Sequence, residues 1–258
     1  MKKYMLDLVV TAAEHVGPRH ALLRLTHSET LPPMQPGQFI EVRVDGSPTT
    51  FLRRPISINY VDKAANELWL LVAAVGEGTR HLASLQRGDK LNCLLPLGRG
   101  FTMPASVEER CLLVGGGVGV APLLFLGRRM LDMGNEPIFL LGARTATDLL
   151  MLREFEKTGR VLLTTDDGSC GEKGTVVQHP ALRSETFDFI YSCGPKPMML
   201  AVARHAAKSG TPCEVSLENT MACGLGACLC CVEPTVHGNL CVCKDGPVFN
   251  INELKWQI

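Results

Sequence analysis

The chain carries no net charge: 26 Lys and Arg are balanced by 26 Asp and Glu. That leaves no electrostatic handle for a polyanion and argues against nucleic acid as a partner. It also lacks a long apolar run. The uncharged stretch 111–127 is shorter than a bilayer crossing and is interrupted by Gly115, Gly116, Gly117, Gly119 and Pro122, so no membrane association is expected. No internal repeat, low-complexity tract or long charge run is present. The opening Met1-Lys2-Lys3-Tyr4 leads into a mixed stretch broken by Asp7, too polar for the apolar part of a secretory signal. A dispersed disulfide framework is missing too. Six of the 11 cysteines fall between Cys223 and Cys243, which fits a reducing cytoplasm better than an oxidising exterior.

That local cluster is the most informative feature present. The run Cys223-Gly224-Leu225-Gly226-Ala227-Cys228-Leu229-Cys230-Cys231, followed by Cys243, has the C-x4-C-x2-C and distant fourth cysteine of a plant-type [2Fe-2S] site. Three thiolates from one tight loop leave little room for side chains. Ala222, Gly224, Gly226 and Ala227 meet that demand and let backbone N–H groups turn toward sulfur. A four-cysteine zinc site is the rival reading, because Cys228-x2-Cys231 is also a zinc-type pair, although a four-residue gap is unusual in a zinc knuckle. Cys230 is expected to point away from its neighbour Cys231 on an extended loop. Cys241 would share a strand face with Cys243, so spacing alone leaves the fourth ligand open between them.

A chain of 258 residues has room for two domains and a small appendage. β-like stretches recur at residues 6–10, 21–26, 39–44, 56–60, 68–75 and 90–95. They are punctuated by Gly17-Pro18, Pro32-Pro33, Pro36-Gly37, Asp45-Gly46 and Gly88-Asp89, as in an antiparallel barrel or sandwich. One helix is expected there, over residues 79–85. From residue 111 the texture alternates: strand 111–114, helix 122–133, strand 137–141, helix 148–157, strands 160–164 and 187–192, helix 196–209. Such alternation predicts an open parallel α/β sheet. The expected fold class is therefore α+β and multidomain. Its segments are an antiparallel β-domain (1–104), a central parallel-sheet nucleotide-binding domain (105–211) and a small cysteine module (212–258).

Loops that suit nucleotides sit where this reading places strand ends. Gly115-Gly116-Gly117-Val118-Gly119-Val120-Ala121-Pro122 follows a strand and opens a helix, where glycines admit a pyrophosphate to free N–H groups. Pro122 suits the first helical turn and stands where the dinucleotide fingerprint has its last glycine. Cys193-Gly194-Pro195-Lys196 ends another strand, so the two loops are expected to border one crevice. Asp166-Asp167-Gly168-Ser169 reads either as a polar turn or as carboxylates that disfavour the extra phosphate of NADP, which points to NAD. Arg144 reads as a ribose partner or a solvated side chain. In the first segment, Arg53-Arg54-Pro55-Ile56-Ser57 and Gly76-Glu77-Gly78-Thr79 offer a forked cation and helix-start donors for a diphosphate.

Taken in order, Arg54-Pro55-Ile56-Ser57, Gly76-Glu77-Gly78-Thr79, Gly117-Val118-Gly119-Val120-Ala121-Pro122 and Cys193-Gly194-Pro195 resemble the ferredoxin-NADP reductase superfamily. The ending, Met221-Ala222-Cys223-Gly224 to Cys231 and Cys243-Lys244-Asp245-Gly246-Pro247-Val248-Phe249, resembles the electron-transfer subunits of dihydroorotate dehydrogenase B. With it the resemblance covers the whole chain. It implies an N-terminal β-barrel holding FAD, with Arg54, Pro55, Ile56 and Ser57 near the flavin. Leu71, Val72 and Ala73 would lie along it, and Gly78 and Thr79 at its diphosphate. Gly117, Gly119, Cys193 and Gly194 would serve NAD, and Cys223, Cys228, Cys231 and Cys243 the cluster, favouring Cys243 over Cys241. Cys230 departs from the family pattern and adds an oxidation liability.

Nicotinamide moves electrons as a hydride and a [2Fe-2S] cluster takes one at a time, so a flavin between them is chemically required. The three segments leave no domain for an organic substrate, so electrons must cross to another polypeptide. The resemblance names that partner as an FMN-carrying catalytic subunit oxidising dihydroorotate, in a heterotetramer of two copies of each chain, and no catalytic residue is assigned to this one. Two rivals stand beside it: a related reductase subunit of a hydrogenase, a sulfur reductase or a bifurcating complex, and a zinc-stabilised nucleotide-binding regulator.

Overall fold

The computed structural model describes residues 2–258, so Met1, the first residue of the expected 1–104 segment, lies outside the described residues. Strands β1 (Tyr4–Gly17), β2 (His20–Thr26), β3 (Phe39–Val42), β4 (Arg54–Asp62), β5 (Glu67–Ala73) and β6 (Lys90–Leu97) close into an antiparallel barrel in the order β1-β2-β5-β4-β3-β6. Side chains alternate across each strand, and this sorts β5 into two faces. Leu68, Leu70 and Val72 enter the barrel core, whereas Leu71 turns outward to pack with the second domain. Helix α1 (Glu77–Ala83) begins two residues before the expected start. There the Thr79 hydroxyl accepts the backbone N–H groups of Val75 and Gly76, and so satisfies the N–H that the helix start leaves free at Gly76.

The second sheet is built from β7 (Cys111–Gly116), α2 (Ala121–Asp132), β8 (Ile138–Ala143), α3 (Leu152–Glu156), β9 (Arg160–Thr165), β10 (Glu172–Lys173), α4 (Ala181–Ser184), β11 (Phe189–Cys193), α5 (Lys196–Ser209) and β12 (Cys213–Ser216). Its strands run parallel in the order β10-β9-β8-β7-β11-β12. The chain moves outward from β7 in one direction, then restarts at β11 on the other side. The crevice of such a sheet opens at that reversal, beyond the carboxyl ends of β7 and β11. The expected helix 148–157 is shortened to α3, because Met151 adopts φ +54 and Asp148 is held in the preceding turn by the Thr145 hydroxyl at 3.0 Å.

The last segment does not stand apart from this sheet. After β12 come β13 (Val232–Thr235), β14 (Gly238–Cys241), the single turn α6 (Val242–Asp245) and β15 (Val248–Asn250). Strand β15 pairs antiparallel with β12, Val215 opposite Phe249. The cysteine module is thus an excursion that leaves and rejoins one sheet edge. It shares an apolar cluster with the barrel, in which Cys231, Val242 and Cys243 belong with Phe39 and Leu97. Barrel and sheet are also latched at Thr102. Its N–H and hydroxyl donate to the Glu214 carboxylate at 2.9 and 2.6 Å, and its carbonyl accepts the Tyr191 hydroxyl at 2.8 Å. Among the described residues no helix is long and apolar enough to cross a membrane.

Candidate functional site

A cavity of about 320 Å³ lies between the barrel and the second sheet. The barrel supplies Pro55, Ile56 and Ser57 of β4, Leu71 and Ala73 of β5, and Thr79 of α1; the facing wall is Val118, Ala121 and the run Ser216 to Met221. Apolar walls edged by a few hydroxyls suit a planar aromatic ring with polar margins, and so fit a flavin. Val72 does not reach this cavity, since its side chain fills the barrel core. Arg54 stands at the start of α1 rather than in the wall. Its guanidinium donates to the Leu52 carbonyl at 2.8 Å, and a Cβ at Gly78 would meet Arg54 Nε at 3.2 Å and Thr50 Cγ2 at 2.9 Å. Gly78 is therefore required by space.

A second cavity, of about 590 Å³, opens at the carboxyl ends of the parallel strands. Gly116, Gly117, Arg144, Asp166, Pro195 and Met198 contribute to its lining. Gly117 takes φ +56, a conformation that glycine adopts at little cost. Gly117 and Val118 are consecutive, yet one faces each cavity, so a single loop divides the two spaces. The two expected nucleotide loops do meet. A Cβ at Gly119 would collide with Gly194 Cα and the Cys193 carbonyl, so these glycines serve the close approach of the loops. Cys193 is buried beneath them, 1% exposed, and burial pushes its thiol well above the ordinary range.

The two adjacent aspartates separate. Asp166 lines the second cavity, whereas Asp167 turns back to accept the Ser169 N–H and hydroxyl at 2.9 and 2.6 Å. These bonds, the hydroxyl first, hold its carboxyl below the usual carboxylate range. Arg144 lines the cavity. Two further contributors, Arg19 and His20, come from the β1–β2 turn of the barrel and carry no local signature. Nor does the run Ser216 to Met221, which reaches the first cavity because β12 delivers it there.

In the cysteine loop, backbone N–H groups are aimed at sulfur. Leu225 N–H donates to Cys223 Sγ at 3.3 Å, Gly226 N–H to Cys243 Sγ at 3.1 Å and Cys243 N–H to Cys231 Sγ at 3.3 Å. Gly224, Gly226 and Leu229 have φ of +65, +79 and +58, which curls the loop around these sulfurs. The N–H bonds, that of Leu225 first, draw the Cys223 thiol down to about 6. Burial pushes the Cys243 thiol up to about 12. The Cys223 thiol interacts with that of Cys228, and the Cys243 thiol with those of Cys231 and Cys223. A [2Fe-2S] cluster takes four thiolates, two on each iron, and is tuned by hydrogen bonds to sulfur. The donor set and its N–H bonds fit the cluster.

Cys241 ends β14 while Cys243 lies in α6, so the two do not share a strand face. The Cys241 thiol lies 3.9 Å from the Gly226 carbonyl, as a donor, whereas Cys243 Sγ accepts the N–H of the same residue. Cys230 is exposed. Beneath the loop lies Glu41 of β3, fully buried, with no hydrogen-bond partner for either carboxylate oxygen. Burial pushes its carboxyl up to about 7 against the opposing pull of Arg53.

Comparison with known proteins agrees with this geometry. Residues 218–255 match the family described as the iron-sulfur cluster binding domain of dihydroorotate dehydrogenase B, and residues 113–204 match the oxidoreductase NAD-binding domain. The chain is 41% identical over 226 residues to the dihydroorotate dehydrogenase B (NAD(+)) electron transfer subunit of Shouchella clausii, covering 85% of this chain and 86% of that one. It is 41% identical over 228 residues to the protein of that name from Listeria monocytogenes, covering 86% and 88%. Among solved structures, an NADH-dependent reduced ferredoxin-NADP oxidoreductase of flavin-based electron bifurcation superposes with a TM-score of 0.87 at 29% identity, covering 96% of this chain and 90% of that one. The ferredoxin reductase of carbazole 1,9a-dioxygenase, at 19% identity, shares the fold with a TM-score of 0.70 over 82% of this chain and 68% of that one.

Proposed function

The chain belongs to the family of electron-transfer subunits of NAD-dependent dihydroorotate dehydrogenase B, and from that membership we propose how its own residues serve the relay. A flavin supplies the exchange between a two-electron hydride at nicotinamide and the one-electron steps of a [2Fe-2S] cluster. Pro55, Ile56, Ser57, Leu71 and Ala73 hold the flavin ring, Val72 contributes backbone alone, and Arg54 with Gly78 and Thr79 receives the diphosphate. Gly117 admits NAD to its cavity, with Gly119, Cys193 and Gly194 shaping the loops beneath. Cys223, Cys228, Cys231 and Cys243 ligate the cluster. On this reading residues 1–104, 105–211 and 212–258 serve FAD, NAD and cluster in turn.

One observation carries the proposal: the cavities and the cysteine loop adjoin along the chain. Gly117 faces the nucleotide cavity and Val118 the flavin cavity, while Met221 lines the flavin cavity two residues before Cys223. A cluster held by these cysteines would therefore lie beside a flavin held in the first cavity, with no other part of the chain between the two sites in sequence. The donor is a catalytic subunit carrying FMN, which oxidises dihydroorotate, in a heterotetramer of two copies of each chain. Leu225 and Leu229, 43% and 63% exposed, flank the cluster ligands and offer it an apolar docking surface.

Coexpression with the catalytic subunit tests this reading. The complex is expected to reduce NAD+ with dihydroorotate as sole donor, and a complex that forms but passes no electrons to NAD+ overturns it. The likeness to the bifurcating oxidoreductase supports a second reading, a reductase subunit serving another partner. Activity with ferredoxin in place of the catalytic subunit would favour that reading.

A further inference from the structure

The nucleotide cavity is not built by the second sheet alone. Arg19 and His20, at the tip of the β1–β2 hairpin, form part of its wall. The hairpin is fixed there from both sides. The Ala74 N–H donates to the Arg19 carbonyl at 2.8 Å, and a Cβ at Gly17 would stand 3.1 Å from Leu150 of the second domain. The barrel thus leans its hairpin against the β8–α3 connection.

The charges in this wall are unequal in their commitments. Asp148 accepts the Thr145 hydroxyl and lies close enough to raise the proton affinity of His20. Burial outweighs that influence and lowers the imidazole's affinity for a proton, so at neutral pH the fixed positive charge at the hairpin tip is the Arg19 guanidinium. Among the described residues Arg19 has no acidic partner, its side chain is exposed, and its backbone alone is engaged. An arginine left without a counter-ion in the wall of a cavity that also presents Gly116 and Gly117 is suited to phosphate, which its planar fork matches.

We infer that Arg19 of the flavin barrel binds the diphosphate of the pyridine dinucleotide, so that the nucleotide site is shared between the two domains. The inference rests on the assignment of the second cavity to NAD. It gives the barrel hairpin a role in holding NAD as well as in closing the barrel. Dinucleotide affinity then depends on the barrel and sheet staying docked, and Arg19 adds to the salt dependence of binding beside Arg144, which lines the same cavity.

The test is calorimetric titration of the intact two-subunit complex with NAD+, ADP-ribose and nicotinamide mononucleotide, comparing wild type with Arg19→Ala, Arg19→Lys and Arg19→Glu. Flavin absorbance serves as the check on folding. Arg19→Ala is expected to weaken NAD+ and ADP-ribose equally, by about tenfold or more, as the loss of a charge-assisted contact implies. Lysine should restore part of the affinity, glutamate should weaken it further, and raising ionic strength should weaken wild type more than Arg19→Ala. Equal affinities and equal salt dependence in wild type and Arg19→Ala would overturn the inference, as would a loss for NAD+ that spares ADP-ribose. Failure of wild type itself to bind NAD+ or ADP-ribose would refute the underlying assignment of the cavity, a result distinct from either.

Discussion

Glu41 of the barrel supports Gly224 of the cysteine loop: a Cβ placed on Gly224 would stand 2.7 Å from Glu41 Cγ and 3.0 Å from Leu97 Cδ1. The loop therefore rests on the barrel through a position with no room for a side chain. Gly224→Ala would add both a clash and the strain of φ +65. The expected cost is about 1–3 kcal/mol, read as a lower thermal midpoint and reduced iron per chain. Glu41→Ala in the same background should recover part of the loss, and an unchanged midpoint for Gly224→Ala alone would contradict the packing.

Glu41 also makes stability depend on pH. Its carboxyl is raised to about 7 in the folded chain from about 4.3 unfolded, so the folded state binds the extra proton between those values. The stabilisation is complete below the unfolded value and is lost as pH rises through about 7. Glu41→Gln should match wild type near pH 4 and exceed it at pH 8 by up to about 3–4 kcal/mol. Thermal unfolding across this range checks the sign, and a variant that gains nothing at pH 8 would refute it.

The cysteines should divide sharply. Cys243→Ser is expected to abolish the cluster's visible absorption and electron exchange with the catalytic subunit while FAD content is unchanged. Cys230→Ser and Cys241→Ser should retain iron and activity. Iron analysis beside flavin absorbance decides between them, and intact transfer in Cys243→Ser would reject it as a ligand.

Asp166, free in the nucleotide cavity, should set the preference for NAD. Asp166→Ser removes a carboxylate that would repel a 2′-phosphate. The ratio of kcat/KM for NADPH to that for NADH should rise about tenfold. Asp167→Ser should leave the ratio alone, since Ser169 already occupies that carboxylate.

Much of this architecture is written in local pattern. Helix 196–209 was readable residue for residue as α5, and the barrel strands emerged from alternating apolar positions between turn residues. The cysteine spacing announced its chemistry because a cluster ligated from one loop imposes a fixed gap between ligands. What escaped depends on distant partners. Strand β12 has four residues and β15 three, too short for periodicity to register, and β15 exists because β12, itself paired with β11, offers it an edge. Arg19 reads as a turn residue until the fold sets its hairpin against the second domain. Val72 and Leu71 are alike in composition, and only the closure of the barrel decides which one meets the cavity.

Because β12 and β15 are hydrogen-bonded neighbours, with Leu217 N–H still reaching the Pro247 carbonyl at 2.9 Å, the cysteine module enters and leaves the sheet at almost one point. Topologically it is a cassette. The module could be gained, lost or exchanged for another electron carrier with a short turn closing the gap, and neither the barrel nor the parallel strands would need a new connection. The same reductase body is thereby open to pairing with different electron donors.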